Sequence, residues 1–342
     1  MMRKTFYWMM TALALAATAC GCRKGNSGIP DNWPWHDPDA DDAPWEEITD
    51  GRFGTLPAGV KVYHSPETLK GKKAQAYIAT ADLSQLSFHV WGLNDPELDG
   101  SDDALKTPSQ VFNAQGEPVL VMNGGYFYTD SGINYPASLA VEGGRLLSPN
   151  INYASEDWIT MYYPTRGAFL RHADGSMEAA WTYFADASHH YVYPAPAQNS
   201  LGSTPLAQPD ATFPEGGVAF EAATAIGAGP VLLKNGEIRN TWRYECIPGD
   251  YDVNCVNPDP RTAIGVTDGG LLVLFVCEGR GMTEGVAGYS TEDVAKILLA
   301  FGCKDALNLD GGGSSCLLVN GFPTIQPSDG AQRPVGSCIY IK

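Results

Sequence analysis

The sequence has few basic residues and few histidines. Its 22 Lys and Arg residues are outnumbered by 39 Asp and Glu residues, and the formal net charge is -17 at pH 7. Because an acidic surface repels phosphate backbones, we expect no nucleic-acid partner. Only 6 histidines are present, and the one adjacent pair, His189 and His190, is interpreted as part of a surface loop. We therefore expect neither a bound metal ion nor another cofactor.

The 8 cysteines lack the spacing of a zinc site, because no CxxC pair or Cys/His cluster occurs. Cys246 and Cys255 flank the loop-like stretch "IPGDYDVN", which a local disulfide could close in an oxidising compartment. The four cysteines from Cys277 to Cys338 lie in or beside apolar runs. For these four, buried thiols and disulfides are both open.

Long apolar runs are scarce outside the N-terminus, and no later segment is long enough to span a bilayer. The stretch "MMRKTFYWMMTALALAATAC" begins with Arg3 and Lys4, continues with an apolar run and ends in small residues before Cys20. This pattern predicts an export signal over residues 1–20 and resembles a bacterial lipobox with Cys20 as the lipidated residue. An ordinary cleaved signal is the alternative. We expect an exported bacterial lipoprotein, anchored to a membrane by its lipid and facing the periplasm or the cell surface.

The composition changes near residue 51. Residues 21–50 are rich in Pro, Asp, Gly and Trp and show neither hydrophobic period, which predicts a flexible tether. Residues 51–342 are expected to form the folded domain. Their short apolar runs are interrupted by Asp-Gly, Asn-Gly and Gly-Gly, as in "SLAVEGGRLLS", "AFLRHADGSMEAAW", "PVLLKNGEIRN", "TAIGVTDGGLLVLFVCEG" and "CLLVNGFPT". Each of these stretches predicts a β-hairpin.

Helical patterns are few. In "STEDVAKILLAFG", Ser290 and Asp293 can form a capping box, an apolar face follows, and Gly302 can end the helix in a left-handed conformation. A shorter helix is predicted in "TPSQVFNAQ". Strands with segregated helices predict an α+β fold, with an antiparallel-rich β-sheet core and a few packed helices.

The stretch "NLDGGGSSCLLVNG" is the first candidate site. A predicted strand ends at Asp310, and five small residues follow, which is more than a tight hairpin turn requires. Glycines allow close approach to the backbone, and successive N–H groups can form a concave nest for an anion. No Gly-Lys-Ser/Thr is present and a strand follows, so the stretch is not a nucleotide P-loop. A Gly-rich bulge between strands is the alternative. The loop positions are Gly311, Gly312, Gly313, Ser314 and Ser315.

Four other segments carry polar side chains where predicted strands begin or end: "VMNGGYFY", "PRTAIG", "VCEGRG" and "PSDGAQRPVG". Together they supply an amide, arginines and carboxylates, which suits recognition of an anionic ester of a sugar. We expect these loops to converge on one cleft. The candidate residues are Asn123, Gly124, Arg261, Glu278, Arg280, Asp329 and Arg333.

In their order and spacing, "PRTAIG", "NLDGGGSS", "VNG" and "PSDGAQRPV" resemble the phosphodiester glycosidase family. The resemblance runs through most of residues 120–342 and is densest from residue 261 onward. Two positions differ from the family pattern, which usually has Asp-Gly at Glu278 and Thr or Ala at Cys316. The resemblance implies hydrolysis of an α-N-acetylglucosamine 1-phosphodiester, or a related sugar phosphodiester, at the sugar carbon.

This chemistry assigns roles to the candidate residues. A phosphate monoester is a good leaving group, so stabilisation of negative charge by Arg261, Arg280 and the glycine loop matters more than a strong general acid. The oxocarbenium-like sugar requires a nearby carboxylate, for which Asp310 is the first candidate and Glu278 the second. Two alternatives stay open, namely a metal-dependent phosphodiesterase that attacks phosphorus and a non-catalytic glycan-binding surface lipoprotein.

Overall fold

A computed structural model of the chain describes residues 44–49, 51–93, 104–247 and 253–342. The predicted signal, the lipidation site Cys20 and most of the predicted tether lie outside these residues. Within them the chain is mostly β, and its strands form three antiparallel sheets and two separate short hairpins. None of the helices in this part of the chain is long and apolar enough to cross a membrane.

The largest sheet has eight strands and contains the strand that ends two residues before Asp310. Every neighbouring pair in it is antiparallel. In spatial order its strands are β1 (Glu46–Glu47), β2 (Val60–His64), β5 (Ala76–Ala81), β20 (Leu272–Cys277), β19 (Arg261–Thr267), β21 (Cys303–Asn308), β17 (Val231–Lys234) and β18 (Glu237–Ile238).

The two other sheets have seven and five strands. The seven-stranded sheet contains, in spatial order, β11 (Arg145–Ser148), β10 (Ala140–Glu142), β16 (Thr224–Gly227), β12 (Arg166–Arg171), β13 (Met177–Phe184), β14 (His190–Tyr193) and β15 (Val218–Ala219). The five-stranded sheet contains β23 (Phe322–Pro323), β22 (Leu317–Val319), β7 (Leu120–Asn123), β24 (Ser337–Ile341) and β6 (Phe88–Gly92). The separate hairpins are β3 (Thr68–Leu69) with β4 (Lys72–Lys73), and β8 (Phe127–Asp130) with β9 (Ile133–Pro136).

One hydrophobic cluster joins all three sheets. It includes Ile264 and Leu307 from the eight-stranded sheet, Phe169 and Trp181 from the seven-stranded sheet, and Met122 from the five-stranded sheet. Alternation along each strand directs these side chains inward. The shared core fixes the ends of the three sheets relative to one another.

The predicted α+β class is wrong. The described chain contains two α-helices, α1 (Pro108–Ala114) of 7 residues and α2 (Thr291–Ala300) of 10 residues, and each covers a sheet from outside. The two helices themselves occur where the sequence predicts them. Ser290 and Asp293 form the capping box of α2, and Gly302 adopts a positive φ after its last turn.

The possible disulfide between Cys246 and Cys255 is not present in the structure, and both side chains are buried. The four cysteines from Cys277 to Cys338 are buried thiols as well. Burial raises the pKa of the Cys255 thiol to about 12. A thiol in this state is a poor nucleophile, so its contribution here is to packing.

Candidate active site

The glycine-rich loop leaves the eight-stranded sheet at the end of β21. The backbone N–H of Leu309 still donates to the carbonyl of Thr262 at 2.8 Å, as in the sheet, and the N–H of Asp310 donates to the carbonyl of Gly124 at 3.0 Å. The second bond ties the loop to the segment that follows β7 of the five-stranded sheet. Asp310 therefore lies where the two sheets meet, and a 3₁₀ turn over Gly312–Ser314 follows it.

Asp310 is half-buried, and its surroundings change the pKa of its carboxyl group. Burial raises the pKa of its carboxyl group to about 6. The hydroxyl of Ser314, the charge of Arg333 and the N–H of Gly311 act in the opposite direction, because each favours the carboxylate. A carboxyl group that titrates near neutral pH at a partly accessible position is a candidate for catalysis.

The side chains of two arginines from other segments contact the glycine loop, and each forms an ion pair with an aspartate. Arg280 donates to both carboxylate oxygens of Asp259, with Nε to Oδ1 at 2.8 Å and Nη2 to Oδ2 at 3.1 Å. Arg333 contacts Oδ2 of Asp329 through Nε at 2.9 Å and Nη2 at 2.7 Å. Its Nη1 lies 3.4 Å from the hydroxyl oxygen of Ser314. Both guanidinium groups are partly exposed and have donors left for an anion.

The absence of side chains on the loop glycines leaves space for the guanidinium groups of the two arginines. A Cβ atom on Gly312 would lie 2.8 Å from Nη2 of Arg280, and one on Gly313 would overlap both Arg333 and Asp329. Gly312 also has a φ of +56°, which disfavours other residues. The sequence predicted close approach of a ligand to this backbone, and the structure shows close approach of guanidinium groups.

The N–H groups of the loop are used largely within the protein. Gly312 donates to Pro260, Ser314 donates to Gly311, and Ser315 donates to Gly312. The N–H of Gly311 faces inward as well, since it favours the carboxylate form of Asp310. This arrangement differs from the open anion nest expected from the sequence, and it leaves the arginines as the main candidates for binding an anion.

Asn123 and Arg261 are buried and bond to protein groups. Asn123 donates from Nδ2 to the carbonyl of Asp310 at 2.7 Å. Arg261 donates from Nε to the carbonyl of Tyr289 at 2.8 Å, and from Nη2 to the carbonyls of Asn254 and Asn257 at 2.5 and 2.9 Å. Its guanidinium group thus connects two loops, and its predicted contact with phosphate is not among these bonds.

Glu278 also bonds to protein groups. Its carboxylate accepts from the hydroxyl of Thr283 at 2.7 Å and from the backbone N–H of Gln326 at 2.8 Å. Glu278 is almost fully buried. It therefore supports the segment that leads to Asp329 and Arg333, and Asp310 is the better candidate for direct chemistry.

The structure brings together a subset of the predicted residues: Asn123, Gly124, Arg280, Asp310, Gly311, Gly312, Gly313, Ser314, Ser315, Asp329 and Arg333. Arg261 packs beside Gly311 through its side-chain stem. Sequence reasoning missed Asp259 and Thr262. Asp259 directly precedes the "PRTAIG" motif and Thr262 lies within it, but no local pattern shows that Asp259 pairs with a residue 21 positions later. No group of three or more His, Cys, Asp or Glu side chains suited to a metal ion occurs in the described ranges.

A family model described as phosphodiester glycosidase matches residues 116–342. The human N-acetylglucosamine-1-phosphodiester alpha-N-acetylglucosaminidase is 38% identical over 115 residues, which cover 31% of this chain and 21% of that protein. An uncharacterized SPbeta prophage-derived protein of Bacillus subtilis (strain 168) is 40% identical over 82 residues, or 24% of this chain and 12% of that protein. The matches thus span about a fifth or less of these curated relatives.

Two solved structures resemble the fold over most of the chain. The zebrafish N-acetylglucosamine-1-phosphodiester alpha-N-acetylglucosaminidase catalytic domain, auto-inhibited by its pro-peptide, has a TM-score of 0.55 and 20% identity, and the match covers 87% of each chain. A hypothetical protein from Synechocystis has a TM-score of 0.55 and 18% identity, with 88% of this chain and 64% of that chain covered. At this level of identity the likeness establishes the fold.

Proposed function

This chain belongs to the phosphodiester glycosidase family, and from that premise we propose that it is a hydrolase that cleaves a sugar 1-phosphodiester at the glycosidic carbon. The products are a free sugar and a phosphomonoester. One observation carries the proposal: the half-buried carboxyl group of Asp310 lies beside a loop on which Arg280 and Arg333 rest. A carboxylate next to two guanidinium groups fits an anionic ester of a sugar.

Phosphate recognition falls to Arg280 and Arg333. A guanidinium group binds phosphate oxygens through two parallel N–H donors. Asp259 and Asp329 hold these groups in place before a ligand arrives, so that less side-chain freedom is lost on binding. The same charges stabilise the phosphomonoester as its bond to the sugar carbon breaks.

Asp310 acts at the sugar carbon. With a pKa of about 6, its carboxyl group is mostly ionised at pH 7. A carboxylate there serves either as the nucleophile toward the anomeric carbon or as the base that activates water. Because the phosphomonoester leaves readily, a strong general acid on the leaving-group side contributes little.

The proposed sugar is α-linked N-acetylglucosamine. Support comes from the sequence resemblance and from the human relative, whose name specifies that linkage. We further propose that the chain is an exported lipoprotein attached to a membrane through Cys20. That residue lies outside the described part of the chain, so this proposal depends on the sequence pattern.

The test is incubation of the full chain with a model α-N-acetylglucosamine 1-phosphodiester, with and without a chelator. We expect release of free N-acetylglucosamine, phosphate on the other fragment, and the same rate in both conditions. Water labelled with ¹⁸O locates the broken bond, because attack at carbon places the label on the sugar. Label on phosphate, or loss of activity with chelator, would instead indicate a metal-dependent phosphodiesterase. Binding of the diester without turnover would indicate a glycan-binding protein.

A further inference from the structure

The two peptide carbonyls that flank the α-carbon of Asp310 are both held by side-chain amides. The carbonyl of Asp310 accepts from Nδ2 of Asn123 at 2.7 Å. The carbonyl of Leu309 accepts from Nδ2 of Asn308 at 2.8 Å. Both asparagine side chains are buried, and Asp310 itself is half-buried.

The amide of Asn123 is itself held in one orientation. Its Oδ1 accepts from the hydroxyl of Thr262 at 2.9 Å and from the N–H of Cys316 at 3.0 Å. The N–H of Cys316 can only donate and the carbonyl of Asp310 can only accept, so Oδ1 must face Cys316 and Nδ2 must point at Asp310. The hydroxyl oxygen of Thr262 also lies 3.2 Å from that of Ser315 in the glycine loop.

Asn308 is held from the other direction. Besides Leu309, its Nδ2 donates to the carbonyl of Gly229 at 2.9 Å, which also accepts from the hydroxyl of Tyr126 at 2.6 Å. Its Oδ1 is buried and has no hydrogen-bond partner within the described part of the chain. Since an unsatisfied buried acceptor destabilises a fold, a residue needed only for packing would be better as leucine. The donor function of Asn308 offsets that cost.

We infer that Asn123 and Asn308 form an amide clamp that orients Asp310 for reaction, with Thr262 fixing the amide of Asn123. This inference rests on the proposed function and reassigns Asn123 from contact with the substrate to positioning. The two bonds fix the backbone on both sides of the α-carbon of Asp310. A fixed backbone restricts the directions in which the carboxylate of Asp310 can point. Small misplacement of a reacting group lowers turnover strongly, whereas ground-state binding through Arg280 and Arg333 is preserved.

The test compares kcat and KM for Asn123→Ala, Asn308→Ala and Thr262→Val. We expect each asparagine variant to lower kcat at least about tenfold with KM changed less than about threefold. Thr262→Val keeps the shape of the side chain and should give a smaller loss of kcat. The matched control is Asn199→Ala, because Asn199 is also buried and its Nδ2 donates to the carbonyl of Tyr163 at 3.0 Å. This control should lose stability but retain kcat per folded molecule.

A double-mutant cycle separates positioning from general stability. If Asn123 acts through Asp310, then Asn123→Ala should have little further effect on kcat in an Asp310→Asn background. Additive losses, or a rise in KM with kcat unchanged, would overturn the clamp and return Asn123 to substrate binding. If the wild-type chain cleaves no sugar phosphodiester, the proposed function fails first. The clamp fails alone when the wild type is active and both asparagine variants match it.

Discussion

The guanidinium group of Arg280 forms two hydrogen bonds with the carboxylate of Asp259, and Nη2 of Arg280 takes the space that a side chain on Gly312 would need. The pair fixes a cation directly on the loop that follows Asp310. A planar fork held in this way is arranged to meet a second planar or tetrahedral anion.

Replacing Arg280 by lysine should weaken substrate binding more than turnover. Lysine keeps the charge but cannot bond to Asp259 and a phosphate in the same plane, so we expect KM to rise about tenfold. Initial rates over a range of diester concentrations measure this change. The control is Arg239→Lys, because Arg239 is similarly exposed and paired with Glu237. An unchanged KM for Arg280→Lys would remove Arg280 from the phosphate site.

Gly313→Ala should lower activity by displacing Arg333 and Asp329. The added methyl group overlaps both side chains, and the contact between Arg333 and Ser314 would be lost with them. We expect kcat/KM to fall about a hundredfold or more. Gly269→Ala is the control, since its added methyl group would have only the Thr267 hydroxyl oxygen, at 3.8 Å, near it. A Gly313→Ala enzyme of wild-type activity would show that this ion pair has no part in catalysis.

Much of the local structure could be predicted from the sequence. The five predicted hairpins are confirmed, because Gly-containing turns between apolar runs determine which neighbouring strands pair. The capping box at Ser290 and Asp293 is equally local. The fold class was predicted incorrectly, because the two helices are too few to form a helical layer. The strand order, such as β5, β20, β19 and β21, could not be predicted because it depends on contacts between distant segments.

The candidate site could be predicted only in part, because only some of its residues are neighbours in the sequence. Asp310 could be identified because strand, carboxylate and glycines are contiguous in the chain. The direction of the Arg261 guanidinium group could not be predicted, because its acceptors come from the separate loops that contain Asn254 and Tyr289. The glycines were recognised, but their neighbours Arg280 and Arg333 come from other segments.

The dependence of rate on pH should follow Asp310. If its carboxylate form is required, kcat/KM rises with pH through about 6 and then levels. The hydroxyl of Ser314 lowers the pKa of Asp310. Ser314→Ala should therefore move the acidic limb to higher pH, and a pH–rate profile of both proteins tests the shift. A limb that stays in place in Ser314→Ala would assign the titration to another group.

Processing at Cys20 can be tested independently of catalysis. If Cys20 carries the lipid, the wild-type chain should fractionate with membranes when it is expressed in a bacterium, and Cys20→Ser should abolish either this association or cleavage of the signal. Cys22→Ser is the control, because Cys22 is two positions further along and outside the lipobox pattern. Membrane association that survives Cys20→Ser, with normal processing, would rule out this lipidation site.

Replacing Asp310 by asparagine should increase stability while strongly lowering kcat. Burial raises the pKa of Asp310 in the folded protein from 3.8 to about 6, so the folded state holds its proton more tightly than the unfolded state. The contribution of Asp310 to stability is thus greatest below about pH 4 and is lost as pH rises through about 6. At pH 7.5 this loss lowers the free energy of unfolding by about 1 to 3 kcal/mol. Asparagine is neutral at every pH, so Asp310→Asn should raise Tm at pH 7.5 and change it much less at pH 4. Asp305→Asn should lower Tm at pH 7.5 instead, because Asp305 is buried 3.1 Å from the ammonium group of Lys234. A lower Tm for Asp310→Asn at pH 7.5 would mean that the carboxylate is satisfied in the fold rather than held in a costly state for catalysis.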